Sequence, residues 1–229
     1  AAEPLATYPD GSVLFRLGRP LNPFPGKPGE VIRDSASYMR FGLDGLPHAA
    51  LGRFPQGETW GVRVRSEGPP SSFPVPFGLV TAAALQADTM LIGTGASFEV
   101  ASIGPDGTPV RLLRAPIERA PVTAETSDAY TAAATTRLRT GAKSLNTPLD
   151  STLIRSLQKA PFPARMPAFG RMLVDRTGAL WLSAPHNPPA SASTWNVFAP
   201  DGTWLGTVTT PDGLRVDELA RALRTRRVK

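Results

Sequence analysis

Cysteine is absent from the 229 residues. Disulfides, thiolate metal sites and cysteine nucleophiles are therefore excluded. Histidine occurs twice, as His48 in LPHAA and His186 in APHNPP, each in or beside a Pro-rich turn. Two such residues give little basis for a clustered metal site or a Ser-His-Asp arrangement, and no GxSxG elbow is present. GxGxxG and Walker A patterns are also missing, and GTGAS at 93–97 reads as a turn between strands. The longest apolar run, LVTAAAL at 79–85, falls far short of a bilayer span. The start, AAEPLATYPDG, has no Met, no basic region and no apolar core of a signal peptide, so a processed or truncated chain is expected. Lysine occurs only at Lys27, Lys143, Lys159 and Lys229.

Arginine thus carries most of the net charge of +6. The arginines are scattered, except for Arg221, Arg224, Arg226 and Arg227 near the end, with Lys229. Nucleic acid is not the expected partner, although that basic tail would be its electrostatic handle. The 25 prolines and 21 glycines lie between apolar runs, as in a turn-rich β protein.

One turn recurs. Pro-Asp-Gly stands at 9–11, 105–107, 200–202 and 211–213, and Leu-Asp-Gly at 43–45. Gly accepts the positive φ of a tight hairpin, and Asp can bond its own backbone. Alternating apolar residues flank the turn in YMRFGLDGLPHAALGRF, FEVASIGPDGTPVRLL and WNVFAPDGTWLGTV. Further strands are expected upstream, at SVLFRL (12–17), GLVTAAAL (78–85), TMLIGT (89–94), GRMLVD (170–175) and ALWLSA (179–184). The unit is strand, tight turn, strand, loop, strand, Asp-Gly turn, strand. Three units emerge, around 7–54, 77–114 and 169–208. Four antiparallel strands per unit is the sheet of a β-propeller blade; a β-sandwich with similar hairpins is the alternative.

The expected fold is all-β, a partial propeller of three to four blades spanning 1–213, with a helical insertion at 121–163. In that insertion Thr123 is the expected N-cap of one helix, with Arg137 and Arg139 late, and Thr147-Pro148 begins a second. Leu149, Leu153, Ile154 and Leu157 share a face of the second helix. Residues 214–229 read as a basic helical or frayed tail.

PVTAETSDAYTAA, PFPARMPAFGRMLVDRTGALWL and WNVFAPDGTWLGTV together resemble the C-terminal half of a bacterial six-bladed β-propeller family related to NHL and TolB-type propellers. The resemblance covers roughly 8–213 and includes Pro76-Phe77-Gly78 before an inner strand, with Ala168-Phe169-Gly170 as its variant. It implies work at the channel mouth, where loops meet. By that analogy Arg53, Arg171 and His186 are the candidate ligand-binding residues. The expected role is a non-enzymatic scaffold binding a protein or small ligand. A lactonase-like hydrolase using a carboxylate-bound metal is the alternative, and Asp88, Glu99, Asp175 and Asp201 would have to converge for it. No catalytic residue, metal ligand or cofactor is assigned. Trp181, Trp195 and Trp204 are expected in the core. Open sheet edges of an incomplete ring would favour self-association. The compartment is not fixed, with an extracytoplasmic location slightly favoured.

Overall fold

The computed structural model describes residues 2–64, 67–146, 151–186 and 192–211. Asp212 and Gly213 of the last Pro-Asp-Gly, the basic tail, Thr147-Pro148 and Leu149 lie outside these. Most of the described chain is β, in four antiparallel sheets of three or four strands, with two helices. No sheet closes on itself among the described residues.

Three sheets are four-stranded meanders. The first joins β1 (Ala2–Thr7), β2 (Val13–Leu17), β4 (Ser35–Phe41) and β5 (Pro47–Pro55). The second joins β8 (Ala82–Gln86), β9 (Thr89–Gly93), β10 (Glu99–Ile103) and β11 (Pro109–Arg114). The third joins β12 (Met172–Val174), β13 (Leu180–Ser183), β14 (Ser193–Phe198) and β15 (Trp204–Thr210). All three repeated units are therefore present as sheets. The first begins earlier than the repeat suggested, because β1 lacks the alternating apolar signal. The strand expected at 78–85 is displaced to β8: Gly78 donates to the Val75 carbonyl in a turn, which holds the preceding segment out of the ladder.

The recurrent turn has one geometry. Asp10, Asp44, Asp106 and Asp201 each accept, through Oδ1, the N–H two residues on, at 2.8–3.0 Å. The glycine after each Asp has φ between 75° and 92° and donates to the carbonyl three residues back. This is the three-residue hairpin loop in which a left-handed glycine completes the turn. Between β12 and β13 the loop has the same glycine bond, Gly178 donating to the Asp175 carbonyl, but its Asp stands three residues before the glycine and accepts from Thr177 N–H at 2.8 Å.

The three sheets stack face to face. In β9, Met90 and Ile92 bury to one side with Leu14, Tyr38 and Leu51 of the first sheet. Leu91 points to the other side, with Phe169, Met172, Leu180 and Leu182 of the third. Alternating side chains thus place the middle sheet between two cores. The first strands β1, β8 and β12 are neighbours across the stack, whereas the last strands β11 and β15 are mostly exposed.

A smaller sheet, absent from the expectations, pairs β3 (Val31–Ile32), β6 (Thr59–Val62) and β7 (Ser71–Pro74) in the order β3-β6-β7. Helices α1 (Ala124–Ser144) and α2 (Ser151–Leu157) accompany it. Thr123 caps α1 as expected, its hydroxyl accepting from Thr126 N–H at 3.2 Å. The helix runs past Arg139 to Ser144 and ends as Leu145 donates to the Gly141 carbonyl. Leu153 of α2 packs with Trp60, Val62 and Val75 in a separate small core. Tyr130 of α1 meets Phe77 and Phe162 with ring centroids 5.3 and 5.9 Å apart.

Candidate functional site

A four-stranded meander puts its first and third turns at one end and its middle loop at the other. The Asp-centred turns therefore share one end of each sheet. The longer connections share the opposite end, namely 18–34, 94–98 and 184–192 within sheets and 56–81 and 115–171 between them. Among the described residues every insertion falls there, so the small sheet and both helices cap the loop end of the stack. Arg33, just after β3, ties this cap down. Its Nε donates to the Gln56 carbonyl at 2.9 Å and its Nη2 to the Thr94 carbonyl at 2.7 Å. Burial lowers its pKa, and the nearby Glu58 carboxylate opposes that shift.

A cleft at this end, of about 730 Å³, opens on the first sheet. Strand register builds its floor, since Ala2 pairs with Leu17, Leu17 with Ser37 and Ser37 with Arg53. These four residues form one row across all four strands. Arg19, Asp34 and Ser35 line the wall. Arg19 Nε donates to Asp34 Oδ2 at 2.6 Å. The Ser35 N–H, at 2.8 Å from Asp34 Oδ1, is the main reason that the Asp34 carboxyl ionises below the ordinary aspartate range; slight burial opposes it, and Arg19 and Arg53 assist. Arg53 is exposed, and its side chain has no hydrogen bond or ion pair among the described residues, although its charge reaches Asp34. The cleft thus carries two guanidinium groups, one neutralised carboxylate and the serines Ser35 and Ser37. It can hold a small oxyanion against Arg53 in water-accessible surroundings.

The other two sequence candidates lie elsewhere on the loop end. Arg171 precedes β12 in the third sheet. Its N–H donates to Ser183 Oγ at 2.7 Å, and its guanidinium lies 5.8 Å from the Trp195 ring centroid. His186 is exposed, three residues beyond β13. The second sheet stands between these two and Arg53, so the three do not share a cleft. Arg19 and Asp34, which complete the Arg53 cleft, were missed. They are 15 residues apart across a Pro/Gly-rich loop, and no local spacing links them.

The four acidic residues considered for a metal divide between the ends. Asp88, Asp175 and Asp201 stand at the turn end. Glu99 begins β10 at the loop end, where Arg114 Nε donates to it at 2.6 Å. Among the described residues no group of three or more His, Cys, Asp or Glu is arranged to hold a metal. Of the strand tryptophans, Trp195 is 1% exposed, whereas Trp204 is 59% exposed. Trp204 is thus an exception to the expected core role, because β15 is an outermost strand. Trp181 is half-buried, and its Nε1 donates to Asp175 Oδ2 at 2.9 Å.

No helix among the described residues is long and apolar enough to cross a membrane. No protein-family model matches the chain, and no curated protein matches it.

Proposed function

We propose that this chain is a propeller-type binding scaffold of the six-bladed, NHL- and TolB-like kind, contributing three blades and recognising an oxyanion-bearing ligand at its loop end. Three features support the blade reading: the shared meander, the adjacency of β1, β8 and β12, and the exposure of the last strands. In a propeller the first strand of each blade lines the axis and the last forms the rim. The ligand reading rests on one observation, the exposed Arg53 side chain with no hydrogen bond or ion pair among the described residues, aligned with Ser37 and beside Arg19, its charge felt by Asp34 but not bonded to it. An exposed guanidinium offers forked N–H donors that match a carboxylate or phosphate.

Calorimetric titration with citrate and with inorganic phosphate tests this. Saturable binding is expected, weakened about tenfold or more in Arg53→Ala and retained in Arg171→Ala. Binding that is absent, or equal in the Arg53→Ala protein, sinks the reading. Preference for citrate or phosphate distinguishes a carboxylate ligand from a phosphorylated one.

A further inference from the structure

The two outer faces of the stack are unlike, and the repeat explains how. Four residues before the turn glycine stand Phe41, Ile103 and Phe198 in the three sheets, paired with Val13, Met90 and Leu180. Ile103 and Met90 bury against the first sheet, and Phe198 and Leu180 join the core with the second. Among the described residues their counterparts Phe41 and Val13, with Phe15 and Met39 on the same face, belong to none of the buried cores. Phe15 and Phe41 lean edge-on at 5.2 Å, half-buried.

The opposite faces repeat as well. Leu14, Tyr38 and Leu51 face the second sheet, and Leu91, Val100 and Leu113 face the third. The matching residues of the third sheet are Trp181, Trp195 and Val208. Trp195 is itself enclosed, beneath Arg171, but Trp181 is half-buried and Val208 is 38% exposed. The turns follow the same rule. Gly107 of the second sheet abuts the Ala50 carbonyl of β5, and a Cβ on Gly202 of the third would lie 3.3 Å from Leu113 of β11. Arg111 Nη2 donates to the Pro200 carbonyl at 2.9 Å in that second contact. The first sheet's own turn has no seat among the described residues: none of them lies within 4 Å of a Cβ on Gly45, and Leu43 and Leu46 beside it are 84% and 61% exposed.

We propose that two copies of the chain mate head to tail. The Val13–Phe15–Phe41 face of each first sheet would pack on the Trp181–Val208 face of the other copy's third sheet, seating the Leu43–Leu46 turn near Val208. The contact is the one already made twice within the chain, so the apolar residues and turn positions are in place for a third. Made twice between two copies, it closes a ring of six sheets; a heterologous contact that closes gives a ring and one that does not gives a fibre. Only this closure rests on the propeller reading above. The Arg53 cleft stays accessible, because its counterpart on the second sheet, Arg114, keeps 68% side-chain exposure although that sheet is covered.

The absence of native cysteine allows a direct test. Leu43→Cys and Val208→Cys are placed in one chain and treated with a short bis-maleimide. A cross-linked species of twice the chain mass is expected, and the untreated protein should sediment as a dimer. The pair Leu145→Cys and Val208→Cys, with Leu145 77% exposed beyond α1, is the collision control. No cross-link, or equal cross-linking in the control, overturns the docking and assigns these faces to another occupant. A ladder of higher oligomers overturns the ring, and the propeller reading with it, whereas loss of anion binding alone leaves both intact. Phe15→Glu and Val208→Glu should each yield monomers, and mixing them should restore a dimer. That rescue fails if two first sheets pack on each other instead.

Discussion

Gly107 tests whether the sheets pack as the contacts require. It has φ 91°, and a Cβ there would press well inside contact distance on the Ala50 carbonyl oxygen, 3.4 Å from its carbon and 3.7 Å from Leu51 Cα. The obstacle is backbone of the neighbouring sheet, which cannot rotate aside. Gly29 is the control: its φ is 85°, and none of the described residues lies within 4 Å of a Cβ there. Gly29→Ala should cost about 1–2 kcal/mol, the penalty of placing an L-residue in left-handed conformation. Gly107→Ala should carry the same penalty and add ~1–3 kcal/mol of overpacking. For a chain of this size each kcal/mol lowers Tm by about 2–4 °C. The extra fall in Gly107→Ala is then on the order of 2–12 °C by the same scaling. Thermal unfolding followed by circular dichroism at one protein concentration measures both. Equal falls in Tm for the two variants would refute the inter-sheet contact.

Other perturbations probe other layers. Phe169 is fully buried between the second and third sheets and meets Phe98 edge-on at 5.9 Å; Phe169→Ala should destabilise by about 3–5 kcal/mol in urea unfolding, and a loss below ~1 kcal/mol would contradict that packing. Thr123→Ala removes the α1 cap and should cost ~1 kcal/mol, read as faster amide exchange in the first turn of α1 with the sheets unchanged. At Asp175 burial opposes ionisation, but hydrogen bonds from the Thr177 hydroxyl, Trp181 Nε1 and the Ala179 and Thr177 N–H groups outweigh it and lower the pKa below 3.8. Its contribution is therefore present above the unfolded value near 3.8 and lost as pH falls through the lower folded value. Asp175→Asn should lower Tm at neutral pH and flatten the loss of Tm between about pH 5 and 2; an unchanged acid slope would count against this.

What was legible in the sequence was local. The Asp-Gly hairpins close over three residues, so Asp, Gly and the alternation beside them specify the ladder without distant help. The Thr123 cap is equally local. The Arg53 cleft was legible only through Arg53 itself, chosen by analogy, because Arg19 and Asp34 reach it from the two ends of a loop. The small sheet left no comparable signal. β3 has two residues and meets β6 across the 26 residues 33–58, so pairing decides its existence.

The sequence by itself determined the hairpins, the helix start and the exclusion of cysteine chemistry, because each depends on neighbouring residues or on composition. Tertiary structure decided the order of faces in the stack, the cap at the loop end and the two outer faces left over. A strand pattern says which residues share a face, but it cannot say what lies against that face. Val13, Met90 and Leu180 are apolar residues at one repeated position, and only the stacking separates the two that join a buried core from the one that, among the described residues, does not.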